Sequence, residues 1–174
     1  ILRLMRRPYS AEYYADLVTR MRRRVPEAAI GADVMVGFPT ETDDDHQCTS
    51  ELLEGAPITY LHVFPYSHRP GTSSTRLKPE VHGSVAQLRG KQLRDLAARK
   101  NLMFRSSFVG KHLSTITLAR NANELAQALS TNYLKVEINQ GDVEANQIVM
   151  TKITGLTADG LNGKVESLRK VSKE

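Results

Sequence analysis

Two short apolar runs, residues 30–38 (IGADVMVGF) and 58–64 (ITYLHVF), stand on either side of one helix-length segment. In the first run Val34, Met35 and Val36 are consecutive, which predicts a strand buried on both faces, and the second run has the same texture. Between them Thr42 precedes Asp43, Asp44 and Asp45. A cap followed by an acidic first turn suits the positive end of a helix, here expected to reach about Glu54 and to end at Gly55 and Pro57. A strand, a helix and a second strand in that order imply parallel pairing through a right-handed crossover. The first part of the chain is therefore an α/β fold.

The flanks extend the pattern. Over 9–25, Tyr14, Leu17, Val18, Met21 and Val25 fall on one face of a 3.6-residue period, with Ser10 as N-cap and Pro26 as stop. Residues 65–79 form a polar loop containing Pro and Gly, and 81–105 returns to a helical pattern through Val85, Leu88, Leu96 and Met103. Two strands are too few to close a barrel or to make a stable open sheet. An exposed sheet edge is expected to favour self-association or partial disorder in the first ~80 residues. The opening on Ile in mid-pattern reads as a fragment.

After Arg105 the texture changes. Alternating runs at 113–119, 133–139, 147–154 and 160–165 predict antiparallel strands, with Gly141, Gly155 and Gly160 in turns. Residues 121–128 fit a short helix or a loop excursion. The expected fold class is α/β plus all-β, with an α/β part over 1–105 and a small antiparallel β-barrel over 106–174.

Composition excludes several function classes. The one cysteine, Cys48, closes no intramolecular disulfide and supplies no thiolate cluster; it is most simply a core or boundary residue. No run of ~18 apolar residues exists to span a membrane, and a cleavable leader pattern is missing, so a cytoplasmic place is the default. The net charge of +5 conceals blocks: residues 1–26 are +5, 27–66 contain eight acids and no Lys or Arg, 67–105 are +7, and 106–174 are only +1. Folding can set the acidic block against the two basic ones, or the basic ones can contact nucleic acid.

Ligands of parallel sheets bind at the carboxyl ends of the strands. There the sequence places Gly37-Phe38-Pro39-Thr40-Glu41-Thr42 and Phe64-Pro65-Tyr66-Ser67-His68-Arg69-Pro70-Gly71-Thr72. The first also reads as an ordinary strand-to-helix turn, and its aspartates argue against a bound phosphate. The second packs an aromatic, a hydroxyl, a cation and a glycine into one loop, more than a connector needs. His68 alone reads as a solvated loop residue, and the other histidines lack metal-ligand spacing.

IGADVMVGFPTET, YLHVFPYSHRPGT, the basic helix, SFVGKHLSTITL and LSTNYLKVEI together resemble the last third to half of a radical S-adenosylmethionine methylthiotransferase. The similarity is greatest to the branch that modifies threonylcarbamoyladenosine in tRNA. LRLMRRPY resembles the family's stretch after its fourth barrel strand, and the closing part resembles the small RNA-binding barrel called TRAM. Thr40 departs from the family's usual Gly, His68 from Pro, Thr75 from Ala, and Ala128 from the Gly before the Leu-Thr-x-Asn-Tyr pattern. The resemblance implies the last part of a radical SAM partial (β/α) barrel followed by TRAM. S-adenosylmethionine would lie against Gly37, Phe38, Pro39 and Glu41, with Tyr66, Ser67, Arg69 and Gly71 on the opposite edge. Arg6 and Arg7 are candidate contacts to the RNA substrate or to the methionyl carboxylate, and Tyr133 and Lys135 candidate RNA contacts that read equally as an outward strand face. The family's 4Fe-4S clusters need thiolates that Cys48 does not match, so this stretch alone is expected to be inactive. The partner implied is tRNA; the alternative is a non-catalytic RNA-binding module.

Overall fold

The computed structural model describes residues 1–118, 126–138 and 144–168. The chain divides into two units, Ile1–Asn101 and Leu102–Glu174. The first contains helix α1 (Ala11–Arg24), strand β1 (Gly31–Val36), helix α2 (Asp43–Gly55), strand β2 (Tyr60–Pro65), a short 3₁₀ turn (Ser73–Arg76) and most of helix α3 (Gly83–Ser106). As expected, Ser10 caps α1, accepting from the Tyr13 N–H at 3.2 Å. Thr42 caps α2 in a reciprocal capping box with Asp45. Beyond α1, the Arg22 guanidinium donates to the carbonyls of Pro26, Ala28 and Pro57, which fixes the chain's path into β1.

β1 and β2 pair in parallel, from Gly31 opposite Tyr60 to Val36 opposite Pro65. All three helices pack on one face of this pair: Val18, Leu53, Leu93 and Leu96 meet Val34 and Val36, with Leu61 and Val63 packed against them. The expectation of strands buried on both faces is therefore corrected. An apolar run specifies what a strand can bury, and among the described residues only one face is covered. α1 likewise buries Val18 while Leu17, Met21 and Val25 stay exposed. The segregated charges meet inside this unit: Arg99 pairs with Glu54 at 3.0 Å, and Lys100 donates to the carbonyls of Glu54 and Ala56.

The second unit is a closed five-stranded barrel of β3 (His112–Thr117), β4 (Ala126–Ser130), β5 (Lys135–Ile138), β7 (Leu161–Leu168) and β6 (Ile148–Leu156), in that order around the barrel. It differs from the expectation in three ways. The part of 121–128 that is described belongs to β4, a strand and not a helix or excursion, because Ala126 and Ala128 face inward beside β5. β5 and β7 run parallel, which closes the barrel. Gly155 lies inside β6 at a register shift opposite β7, where a bulge is accommodated without a turn. Ala119, Asn139 and Gly141 lie outside the described residues. The interior mixes aliphatics with paired hydroxyls: Thr115 and Thr151 hydrogen bond at 2.8 Å, and Phe108 is buried in the same unit's hydrophobic core. No described helix is long and apolar enough to cross a membrane.

Candidate functional site

The turn that leaves β1 is held from behind. Gly37 has φ +75°, and a Cβ there would lie 2.7 Å from the Ala86 Cβ on α3, so only glycine fits. Its N–H donates to the Glu41 carboxylate at 2.7 Å. That buried carboxylate also accepts from Arg89 Nη1 at 2.7 Å, and Arg89 reaches the Glu41 carbonyl and, through Nη2, the Asp43 carboxylate. Burial opposes the Arg89 charge, but the hydrogen bonds it donates to Asp43 and Glu41 outweigh it and raise the guanidinium's pKa. The Thr42 backbone N–H and side chain lower the Asp45 carboxyl in turn.

The second strand-end loop is tied to the first. The Tyr66 N–H donates to the Val36 carbonyl at 2.8 Å, its ring meets Phe38 edge to face at 5.5 Å, and its hydroxyl donates to Ser74 at 3.1 Å. Ser67, Arg69 and Gly71 are exposed. The eight predicted cofactor residues thus fall into two groups. Gly37, Phe38, Pro39 and Glu41 are buried and form a rigid backing, while Tyr66 is half-buried and Ser67, Arg69 and Gly71 face solvent. Arg89 is the positioning residue that sequence reasoning missed; its signal was the opposition of the acidic and basic blocks.

Elsewhere, Arg6 and Arg7 are exposed, and Arg7 borders a groove of about 970 Å³ that also touches Tyr14, Asp33 and Cys48. Cys48 is exposed, correcting the core or boundary expectation: α2 turns Leu53, not Cys48, toward the sheet. Tyr133 is 80% exposed in the turn between β4 and β5, and its φ is +62°. Lys135 is exposed but pairs with Asp159 at 2.8 Å, and the hydrogen bond and charge of that partner raise its pKa. Among the described residues no three His, Cys, Asp or Glu side chains are grouped as metal ligands. An iron–sulfur cluster therefore does not fit these residues.

The chain is 36% identical over 88% of its length to the threonylcarbamoyladenosine tRNA methylthiotransferase MtaB of Aquifex aeolicus, covering 36% of that protein. It is 32% identical over 97% of its length to the tRNA-2-methylthio-N(6)-dimethylallyladenosine synthase of Flavobacterium johnsoniae, covering 36% of that protein. The synthase of the same name from Fervidobacterium nodosum is also 32% identical over 97% of the chain, which covers 39% of it. The chain belongs to the radical S-adenosylmethionine tRNA methylthiotransferase family. It spans little more than a third of the length of these curated relatives. No protein-family model matches it.

Thr40 has φ +74°, and its N–H donates to the Pro79 carbonyl at 2.8 Å. A β-branched residue in the left-handed region is strained. Thr40→Gly is expected to stabilise the α/β unit by about 1 kcal/mol, the relief of strain exceeding the added flexibility of the unfolded chain. Urea unfolding of the two forms checks this; equal stability would mean that the turn holds Thr40 without strain.

Proposed function

We propose that the chain is part of an enzyme that methylthiolates threonylcarbamoyladenosine in the anticodon loop of tRNA, with S-adenosylmethionine and 4Fe-4S clusters as cofactors. In this reading the α/β unit is the last part of a radical SAM partial (β/α) barrel, and the five-stranded barrel is a TRAM-like RNA-binding domain. The observation that supports it best is the fixed turn 37–42 beside the Tyr66 loop, at the carboxyl ends of two parallel strands.

S-adenosylmethionine, if held here, would supply the radical and methyl chemistry. The residues here do the remaining work. Glu41, held by Arg89, fixes the Gly37 and Phe38 backbone. Tyr66 and Ser67 offer hydroxyls at the mouth, and Arg69 offers a cation for a carboxylate or phosphate. Phe38 and Pro39 exclude water from behind. Cys48 stands alone as a thiol, so the cluster thiolates come from other parts of the enzyme, and residues 1–174 by themselves are inactive. A protein acting on tRNA belongs in the cytoplasm.

The second reading, a non-catalytic RNA-binding module, draws on the exposure of Tyr133. Deleting the gene and analysing tRNA nucleosides by mass spectrometry separates the two. The enzyme reading expects the 2-methylthio form of threonylcarbamoyladenosine to vanish and its unthiolated precursor to accumulate. Unchanged nucleosides would refute it.

A further inference from the structure

Three hydroxyls in series hold the loop that follows β2. Thr72 Oγ donates to the Arg69 carbonyl at 2.8 Å, and a hydroxyl has one proton to give. In its 2.9 Å contact with Ser74 Oγ, Thr72 therefore accepts and Ser74 donates. With the Ser74 proton spent, Tyr66 Oη must be the donor in its own bond to Ser74 Oγ at 3.1 Å. The series runs one way, from Tyr66 through Ser74 and Thr72 to the Arg69 carbonyl. Its direction commits the Tyr66 proton and leaves the Tyr66 oxygen able only to accept.

Both ends of the series are fixed. At one end the Tyr66 N–H is bonded to the Val36 carbonyl of β1. At the other, the Thr72 N–H reaches the same Arg69 carbonyl at 3.3 Å, and Thr75 Oγ donates to the Thr72 carbonyl at 2.8 Å. Arg69 is exposed, and residues 66–79 contain no acid to neutralise it. A guanidinium on the same loop as an accepting oxygen suits a carboxylate that has an N–H beside it. The carboxylate takes the paired guanidinium donors, and the N–H bonds Tyr66 Oη. A phosphate has no N–H to give and would set acceptor against acceptor at Tyr66.

We propose that Ser74 and Thr72 are positioning residues, whose hydroxyls hold Tyr66 Oη and Arg69 as a joint site for a carboxylate next to an N–H donor. The proposal rests on the reading of the two strand-end loops as the enzyme's ligand site. Two groups in that reading have this chemistry: the threonylcarbamoyl group of the nucleoside, with its ureido N–H, and the methionyl end of S-adenosylmethionine, with its ammonium.

The test uses the complete enzyme that contains residues 1–174 and measures equilibrium binding of two probes. One is S-adenosylmethionine; the other is an anticodon stem-loop, with and without the threonylcarbamoyl group. Arg69→Gln should weaken binding roughly 10- to 150-fold, and Tyr66→Phe or Ser74→Ala roughly 2- to 10-fold. Ser74→Thr, which keeps the hydroxyl, should restore it. If the nucleoside is the source, the loss falls on the modified stem-loop and spares the unmodified one. If the methionyl end is the source, it falls on S-adenosylmethionine and spares both stem-loops. The tyrosine Raman doublet, which reports whether a phenol donates or accepts, should change in Ser74→Ala and not in Ser74→Thr. Unchanged binding of both probes in Arg69→Gln and Tyr66→Phe overturns the proposal. Equal losses for the modified and unmodified stem-loops also overturn it, since Arg69 would then serve phosphate, and an unchanged doublet in Ser74→Ala refutes the direction of the series. None of these failures touches the nucleoside analysis, which tests the enzyme reading separately.

Discussion

Arg89→Met is expected to lower the stability of the α/β unit by about 3–5 kcal/mol, read as an earlier urea transition of that unit. The side chains of Arg89 and Glu41 are 6% and 5% exposed. Removing the guanidinium leaves the Glu41 carboxylate buried with the Gly37 N–H as its remaining partner, and an uncompensated buried charge costs far more than a surface pair. Arg89→Met with Glu41→Gln should recover much of the loss, because no stranded charge remains; the cycle of the two single and one double variants isolates the coupling. The raised pKa of Arg89 sets the sign with pH. A cation whose folded pKa lies above its unfolded value contributes its stability at all lower pH, so the cost of the substitution should be flat through the neutral range. A cost below about 1 kcal/mol would mean that the turn is held by its own backbone and not by the clamp.

The parts of this structure legible in the sequence are those whose physics is local. Ser10 and Thr42 were readable as caps because a cap needs only its own hydroxyl and an N–H three residues on. The order of helices and strands in the α/β unit followed from period and breakers. Tyr133 and Lys135 were legible as outward residues, but the partner of Lys135 is Asp159, 24 positions away, and alternation carries no trace of it. Glu41 shows the same gap at the site. Its place at a strand end suggested a ligand, whereas its carboxylate is engaged by Arg89, 48 positions on. The number of covered faces was illegible for a related reason: Tyr60, His62 and Phe64 read as apolar or aromatic whether or not anything lies on them. β4 was missed because AQALS has weak strand propensity and is held as a strand by β3 and β5.

Phe108→Ala should have an effect as large in the barrel, about 3–5 kcal/mol. Phe108 is 1% exposed, meets Phe104 edge to face at 5.0 Å, and has the Lys111 ammonium 5.1 Å from its ring centre. Its neighbours are Leu113, Val136, Ile153 and Leu161 from four different strands, and strands of a closed barrel cannot collapse independently into the space a ring leaves. Hydrogen exchange gives a local readout. The amides of β3, β5 and β6 should lose protection, whereas those of β1 and β2 should keep it, because the first unit has its own core around Val36 and Leu93. A uniform loss across both units would show one cooperative core where the packing gives two. Tyr133 and Lys135 stand on the β4–β5 hairpin of this barrel. A loosened barrel should therefore weaken any RNA contact made there.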